Sequence, residues 1–242
     1  MTGPEEQEPA YVIHRRPWRE TSLMVDVMTL NFGRMTVIAR GASGPRSPLK
    51  AQLQPFQPLM LDWVGRGDLK TLGHVEVRSG PRLRHTLSLY SGLYINELLQ
   101  RILPAADPHP ALFAAYIDAL SGLAETRDVE PVLRRFEKAL AQALGYDFAW
   151  DLATDTGQPV CSGQVYGYDP EQGIVSAAAP DVRLSNLSGD TLLALSAGDL
   201  TGEASRRLAK RVMRVLTDYL LQGRPLHSRS LFSHLRGEKH ES

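Results

Sequence analysis

Only one of the 242 residues, Cys161, is a cysteine, which excludes an internal disulfide and any zinc site built on paired cysteines. Long apolar runs are missing too. Apolar runs such as Leu192 to Leu195 fall far short of the ~18 to 20 residues a membrane span needs, so no membrane partner is expected. Met1 to Pro9 is acidic and lacks the basic start and apolar core of a secretory signal, which points to a cytoplasmic protein. Catalytic signatures are absent as well: there is no P-loop, GxGxxG, HExxH or GxSxG pattern. His14, His74 and His85 lack an assignable carboxylate partner, and Cys161 reads as a space-filling residue. An enzyme is therefore a weaker reading than a binding protein. With 43% hydrophobic and 22% charged residues, the chain has a globular composition rather than a disordered one.

Net charge is also absent, but its distribution is uneven. Lys+Arg against Asp+Glu is 12 to 8 in residues 1–85, 6 to 15 in 86–202 and 9 to 4 in 203–242. Residues 11–50 alone hold 7 basic and 2 acidic groups. Two basic ends around an acidic middle suggest a polyanion that touches the ends, although chance produces such asymmetry as well.

The first third reads as strands. Leu23, Val25 and Val27 share one face of a period-two run over 23–30, with Met24, Asp26 and Met28 on the other. Asn31-Phe32-Gly33 supplies a turn, and 34–40 alternates again. Residues 10–16, stopping at Pro17, with Pro58–Val64 and Leu69–Val77, complete five short strands. The stretch 41–49 is a Gly, Ser and Pro loop flanked by Arg40, Arg46 and Lys50. Five strands in this length suit a small closed barrel, because closure removes exposed edges; an SH3-like barrel or an open sandwich would leave a similar trace.

From about Pro81 the period becomes helical. Leu87, Tyr90, Tyr94 and Leu98 mark one helix ending before Pro104, Ala111–Ala124 a second behind Pro110, and Leu133, Phe136, Leu140 and Leu144 a third from near Pro131. Residues 146–185, rich in Gly and Pro, read as an insertion of short strands, with a hairpin of Val165–Tyr168 and Ile174–Ala177. Helices resume at Gly189–Ser196 and Glu203–Leu221. In the latter, at roughly 100° per residue, Arg207, Lys210, Arg211 and Arg214 share one face, while Leu208, Val212, Val215 and Tyr219 gather at roughly 80° to 140° from Arg207. That basic stripe is either a solvated face or an anion site.

The run His14-Arg-Arg-Pro-Trp-Arg-Glu-Thr-Ser-Leu23, with Gly33-Arg34, Ala39-Arg-Gly-Ala42 and Leu53-Gln-Pro-Phe56, resembles the N-terminal domain of the RecO family of bacterial recombination mediators. Leu89-Tyr-Ser-Gly-Leu-Tyr-Ile-Asn-Glu-Leu98, Leu133-Arg-Arg-Phe-Glu137, Leu144-Gly-Tyr146, Gly223-Arg-Pro-Leu226 and Arg229-Ser-Leu-Phe232 extend the likeness along nearly the whole chain. The resemblance implies an α+β protein: a five-stranded OB-fold barrel followed by an α-helical domain with a small inserted β module. The expected organisation is a flexible acidic leader (1–9), the barrel (10–80), the helical domain (81–236) with insertion 146–185, and a flexible tail (237–242). It also implies a non-enzymatic protein that binds single- and double-stranded DNA and anneals complementary strands. With RecR, such a protein loads RecA onto DNA coated by single-strand-binding protein. Some relatives hold zinc on four cysteines in the insertion; with Cys161 alone, no metal and no cofactor are expected here. The alternative is a generic OB-fold RNA-binding or assembly module.

An OB-fold binds nucleic acid through a basic groove and stacking rings. Arg15, Arg16, Arg19, Arg34, Arg40, Arg46 and Lys50 would supply the charge and Trp18 and Phe32 the rings, barrel packing being the alternative for both rings. The helix stripe Arg207, Lys210, Arg211 and Arg214 is a second candidate. The acidic, apolar-ended tail of single-strand-binding protein calls for a cation beside an apolar groove. Arg134 or Arg135, next to the Leu133/Phe136 stripe, meets that description, as would an ordinary solvated face.

Overall fold

The computed structural model describes residues 7–65, 69–180 and 182–237, without the side chains of 233–237. Met1 to Glu6 of the expected leader and 238–242 of the expected tail lie outside the described residues. Glu8 and Pro9, assigned to the leader, instead open the first strand. The Glu8 carboxylate is buried and accepts hydrogen bonds from the Asn31 backbone N–H (2.6 Å) and side-chain amide (3.0 Å).

Five strands, β1 (Glu8–Trp18), β2 (Ser22–Thr29), β3 (Gly33–Ala39), β4 (Pro58–Val64) and β5 (Leu69–Val77), close a barrel in the order β1-β2-β3-β5-β4. All pairings are antiparallel except β3 with β5, which runs parallel from Thr36↔Leu69 to Ile38↔Thr71 and completes the closure. This is the OB-fold order. Pro17 does not end β1: the strand continues to Trp18, and an irregularity between Val12 and His14 bends it. Val12, Val25, Val27, Val37, Leu59, Leu61 and Trp63 fill the barrel interior.

All eight residues of β2 are buried, so the face carrying Met24, Asp26 and Met28 needs a cover as well. α2 (Thr86–Ile102) reaches this face, and α3 (Pro110–Glu125) packs on β1; a short α1 (Pro48–Gln52) precedes β4, overlapping the end of the stretch read as loop. Gln100 of α2 donates to Asp26 (3.2 Å), and Asn96 donates to the Val12 carbonyl (3.4 Å). Tyr11 of β1 packs edge-on against Tyr116 of α3 at 5.1 Å, and the Tyr116 hydroxyl donates to Asn96 (2.7 Å). Burial pushes the Tyr116 hydroxyl far above the ordinary phenol range, so it remains a neutral donor. A seventh helix, α7 (Ser228–Gly237), packs on α2.

The chain accordingly divides into compact units at Met1–Val129 with Leu226–Ser242, and Glu130–Pro225, whereas the sequence suggests a division near residue 80. The reason is the packing of α2 and α3 on the barrel, through Asn96 and Tyr116 against β1 and Gln100 against Asp26 of β2.

The second unit holds α4 (Val129–Ala143), five short strands β6 (Leu152–Ala153), β7 (Gln158–Pro159), β8 (Val165–Asp169), β9 (Gly173–Ser176) and β10 (Leu184–Ser188), then α5 (Gly189–Ser196) and α6 (Glu203–Leu220). β8 and β9 form the expected hairpin, in register Tyr166↔Ser176 and Tyr168↔Ile174, and β10 adds a third strand on β8. The insertion folds around aromatics. Phe148 meets Trp150 at 4.8 Å and Tyr168 at 5.2 Å, and Lys138 Nζ stands 4.6 Å above the Phe148 ring while donating to the Phe148 carbonyl (2.6 Å). Cys161 is exposed rather than space-filling, since the aromatic cluster already occupies the module's interior.

Candidate nucleic-acid interface

The β1–β2 turn begins where Trp18 pairs with Ser22, and Arg19 enters the left-handed region at φ 53° to make it tight. Its guanidinium lies over the Trp18 ring, 5.9 Å from the centroid. The loop after β3 is fastened to this turn: the Ser43 N–H donates to the Thr21 carbonyl and the Ser43 hydroxyl to the Glu20 carbonyl, each at 3.0 Å. Arg15 then fixes α1 through the carbonyls of Lys50 (3.1 Å) and Leu53 (3.0 Å) and the Gln54 side chain (3.0 Å). Trp18, Arg19, Arg40, Arg46 and Lys50 therefore belong to one end of the barrel. Arg40, Arg46 and Lys50 are exposed, and among the described residues their side chains have no ion-pair partner. Arg16 sits nearby, 3.8 Å from the Asp26 carboxylate and donating to the Met24 sulfur.

Two expected members lie elsewhere. The length of β2 separates the β2–β3 turn from this end by roughly 23 Å, at about 3.3 Å per residue. Phe32, in that far turn, rests edge-on against Trp63 at 5.2 Å yet is 37% exposed. Arg34 donates through Nε to the Leu103 carbonyl (2.8 Å), and its own carbonyl accepts from the Ala106 N–H (2.9 Å). Gly33 is what permits this contact: its φ is +69°, and a Cβ there would overlap the Asp107 carbonyl. The Arg15 and Arg34 guanidiniums both donate to backbone carbonyls.

On α6 the stripe Arg207, Lys210, Arg211 and Arg214 is exposed as the periodicity implies. The buried side chains Leu208, Ala209, Val212, Met213 and Leu216 lie opposite, at roughly 100° to 240° from Arg207, so Val215 and Tyr219 flank the buried face rather than centre it. Three of the four cations have carboxylate partners: Arg207 with Glu203 (2.6 Å), Lys210 with Glu130 and Arg214 with Asp218 (3.9 Å). Arg211 alone of the four has none among the described residues.

Arg134 turns inward, with its side chain 12% exposed, and donates to the buried Glu137 carboxylate (2.8 Å); Arg135 is exposed. His14 does have a carboxylate neighbour, Asp26 at 3.6 Å, which the sequence order conceals. No group of three or more His, Cys, Asp or Glu able to hold a metal occurs among the described residues. Arg82 and Arg84 are cations that the sequence reading passed over, exposed and unpaired among the described residues. The Pro81-Arg-Leu-Arg84 run was the available signal.

Residues 1–81 match the family described as Recombination protein O N terminal, and residues 85–230 match Recombination protein O C terminal. The chain belongs to the RecO family. A DNA repair protein RecO of Marinobacter nauticus is 66% identical over 237 residues, covering 97% of this chain and 96% of the relative. RecO proteins of Aromatoleum aromaticum and Haemophilus influenzae (strain PittGG) are each 43% identical, covering 96% and 94% of this chain and 96% of each relative. RecO membership gives the chain a role in DNA repair and recombination and identifies the barrel with the family's N-terminal domain. No helix among the described residues is long and apolar enough to cross a membrane.

Proposed function

We propose that the chain is a non-enzymatic mediator that binds single- and double-stranded DNA at the Trp18 end of the barrel and anneals complementary strands. With RecR as partner it helps load RecA onto DNA coated by single-strand-binding protein. The observation that carries this reading is the group Arg40, Arg46 and Lys50, exposed and without ion-pair partners among the described residues, at the barrel end that also holds Trp18. Cations without internal partners attract phosphates, and a half-exposed indole offers a stacking surface that tolerates any base. Annealing requires two strands held with charge neutralised and bases free, which backbone contacts satisfy. Among the stripe cations of α6, Arg211 is the one with charge to spare. Arg135 is the remaining candidate for the acidic tail of single-strand-binding protein, since Arg134 is committed to Glu137.

Annealing of complementary oligonucleotides coated with single-strand-binding protein tests the reading. Acceleration by the wild-type chain, lost in Arg40→Ala/Arg46→Ala, is expected. Equal annealing by the variant would move the DNA path away from this end.

A further inference from the structure

Two of the three tryptophans are enclosed: Trp63 is 3% exposed in the barrel core and Trp150 8% exposed in the aromatic cluster of the second unit. Trp18, the last residue of β1, is partly open. The residue after it occupies its ring. The Arg19 guanidinium stands 5.9 Å from the ring centroid, near the outer limit of about 6 Å at which an aromatic face holds a cation. Arg19 is exposed and forms no ion pair among the described residues, not even with Glu20 beside it.

The turn has a fixed part and a free part. Its backbone is fixed, because Ser43 donates to the Thr21 and Glu20 carbonyls at 3.0 Å each. That backbone sets Arg19 at φ 53°, a left-handed conformation that glycine adopts without strain and residues with a Cβ do not. The Arg19 side chain is free: nothing but the ring restrains it among the described residues. We propose that Arg19 determines how strongly the Trp18 end distinguishes single-stranded from duplex DNA. It covers the Trp18 ring, an unpaired base displaces it to stack there, and a duplex binds with the cover in place. The inference rests on the DNA-binding reading above and adds the residue that weighs its two substrates. A base lying flat on an indole makes contact across the whole ring, which a guanidinium at 5.9 Å does not, so the base takes the ring. In a duplex the bases are already stacked on one another, leaving only phosphates for Arg40, Arg46 and Lys50. Arg19 thus taxes single strands alone and brings the two affinities closer. That suits annealing, in which one substrate becomes the other.

Tryptophan fluorescence of the full chain, titrated with a thymidine oligonucleotide and with a duplex of equal length, tests it. The single strand is expected to change the emission and the duplex to leave it unchanged, with the change lost in Trp18→Phe. Arg19→Gly keeps the turn, since glycine tolerates its φ. In that variant acrylamide should quench free Trp18 more strongly, and the ratio of single-strand to duplex affinity should rise about two- to fivefold. The lost charge weakens both substrates and cancels in the ratio. An unchanged ratio in Arg19→Gly, or an equal emission change with the duplex, overturns the inference and leaves the DNA-binding reading standing. No emission change with the single strand in the wild type overturns both.

Discussion

Glu97 on α2 holds the first residue of α7, Ser228, from 131 positions away: its carboxylate accepts the Ser228 backbone N–H at 2.8 Å and the hydroxyl at 2.6 Å. The His227 N–H (2.9 Å) and the Arg101 guanidinium (2.9 Å) complete its shell. A carboxylate at a helix N-terminus satisfies orphan donors and meets the positive end of the macrodipole. The C-terminal helix is thus capped by tertiary structure rather than by its own sequence.

This cap makes stability acid-sensitive. Burial alone would raise the Glu97 pKa, but the bonds from Ser228 and His227 and the Arg101 charge together hold it below the usual carboxylate value. A depressed native pKa contributes stability that is present above the unfolded value of about 4.3 and is lost as pH falls through the native one. Glu97→Gln should therefore lower the melting temperature at pH 7, and the gap to wild type should narrow below about pH 4. Thermal melts across pH 3 to 7 measure it; a gap independent of pH would assign the effect to packing.

Salt dependence measures how many phosphates the barrel end contacts. Each phosphate neutralised on single-stranded DNA contributes a slope of about −0.7 in log K against log salt. Removing Arg40 and Arg46 together should reduce the slope by ~1 to 1.5 across unrelated sequences. Trp18→Ala should lower affinity, by ~1 to 3 kcal/mol per stacked base, with the slope unchanged because stacking releases few ions.

Arg34 offers the contrasting case. Its guanidinium is bonded to the Leu103 carbonyl, so Arg34→Ala should destabilise the protein by about 1.5 to 3 kcal/mol in urea titration while leaving the DNA salt slope intact. A changed slope with unchanged stability would return Arg34 to the DNA path.

Arg134→Ala removes a charged hydrogen bond from the buried Glu137 carboxylate. A loss of roughly 1.5 to 3 kcal/mol in urea titration is expected, whereas Arg135→Ala, at an exposed position, should change stability by less than about 0.5 kcal/mol. Equal stabilities for the two variants would contradict the inward placement of Arg134.

Local pattern alone was enough for the elements whose burial follows a simple period. The strands Pro58–Val64 and Leu69–Val77, the turn at Asn31-Phe32-Gly33 and the helix Gly189–Ser196 stand where the sequence places them, and in Pro58–Val64 burial alternates because side-chain direction along a strand repeats every 2 residues. The run from Leu89 to Leu98 carried the family. The elements that escaped lack such a period: α1 is one turn inside a Gly- and Pro-rich loop, β10 takes its hydrogen bonds from β8, and α7 takes its cap from Glu97. The candidate site was half legible for the same reason. Composition counts cations but does not say which carbonyl or carboxylate folding brings to each. Closure of the barrel and the packing of α2 on it committed Arg15 and Arg34 to backbone oxygens and left Arg40, Arg46 and Lys50 free, and the folding of the second unit set Lys210 against Glu130 eighty positions away. A charge's availability is a property of its neighbours in space, and those neighbours are decided by tertiary structure.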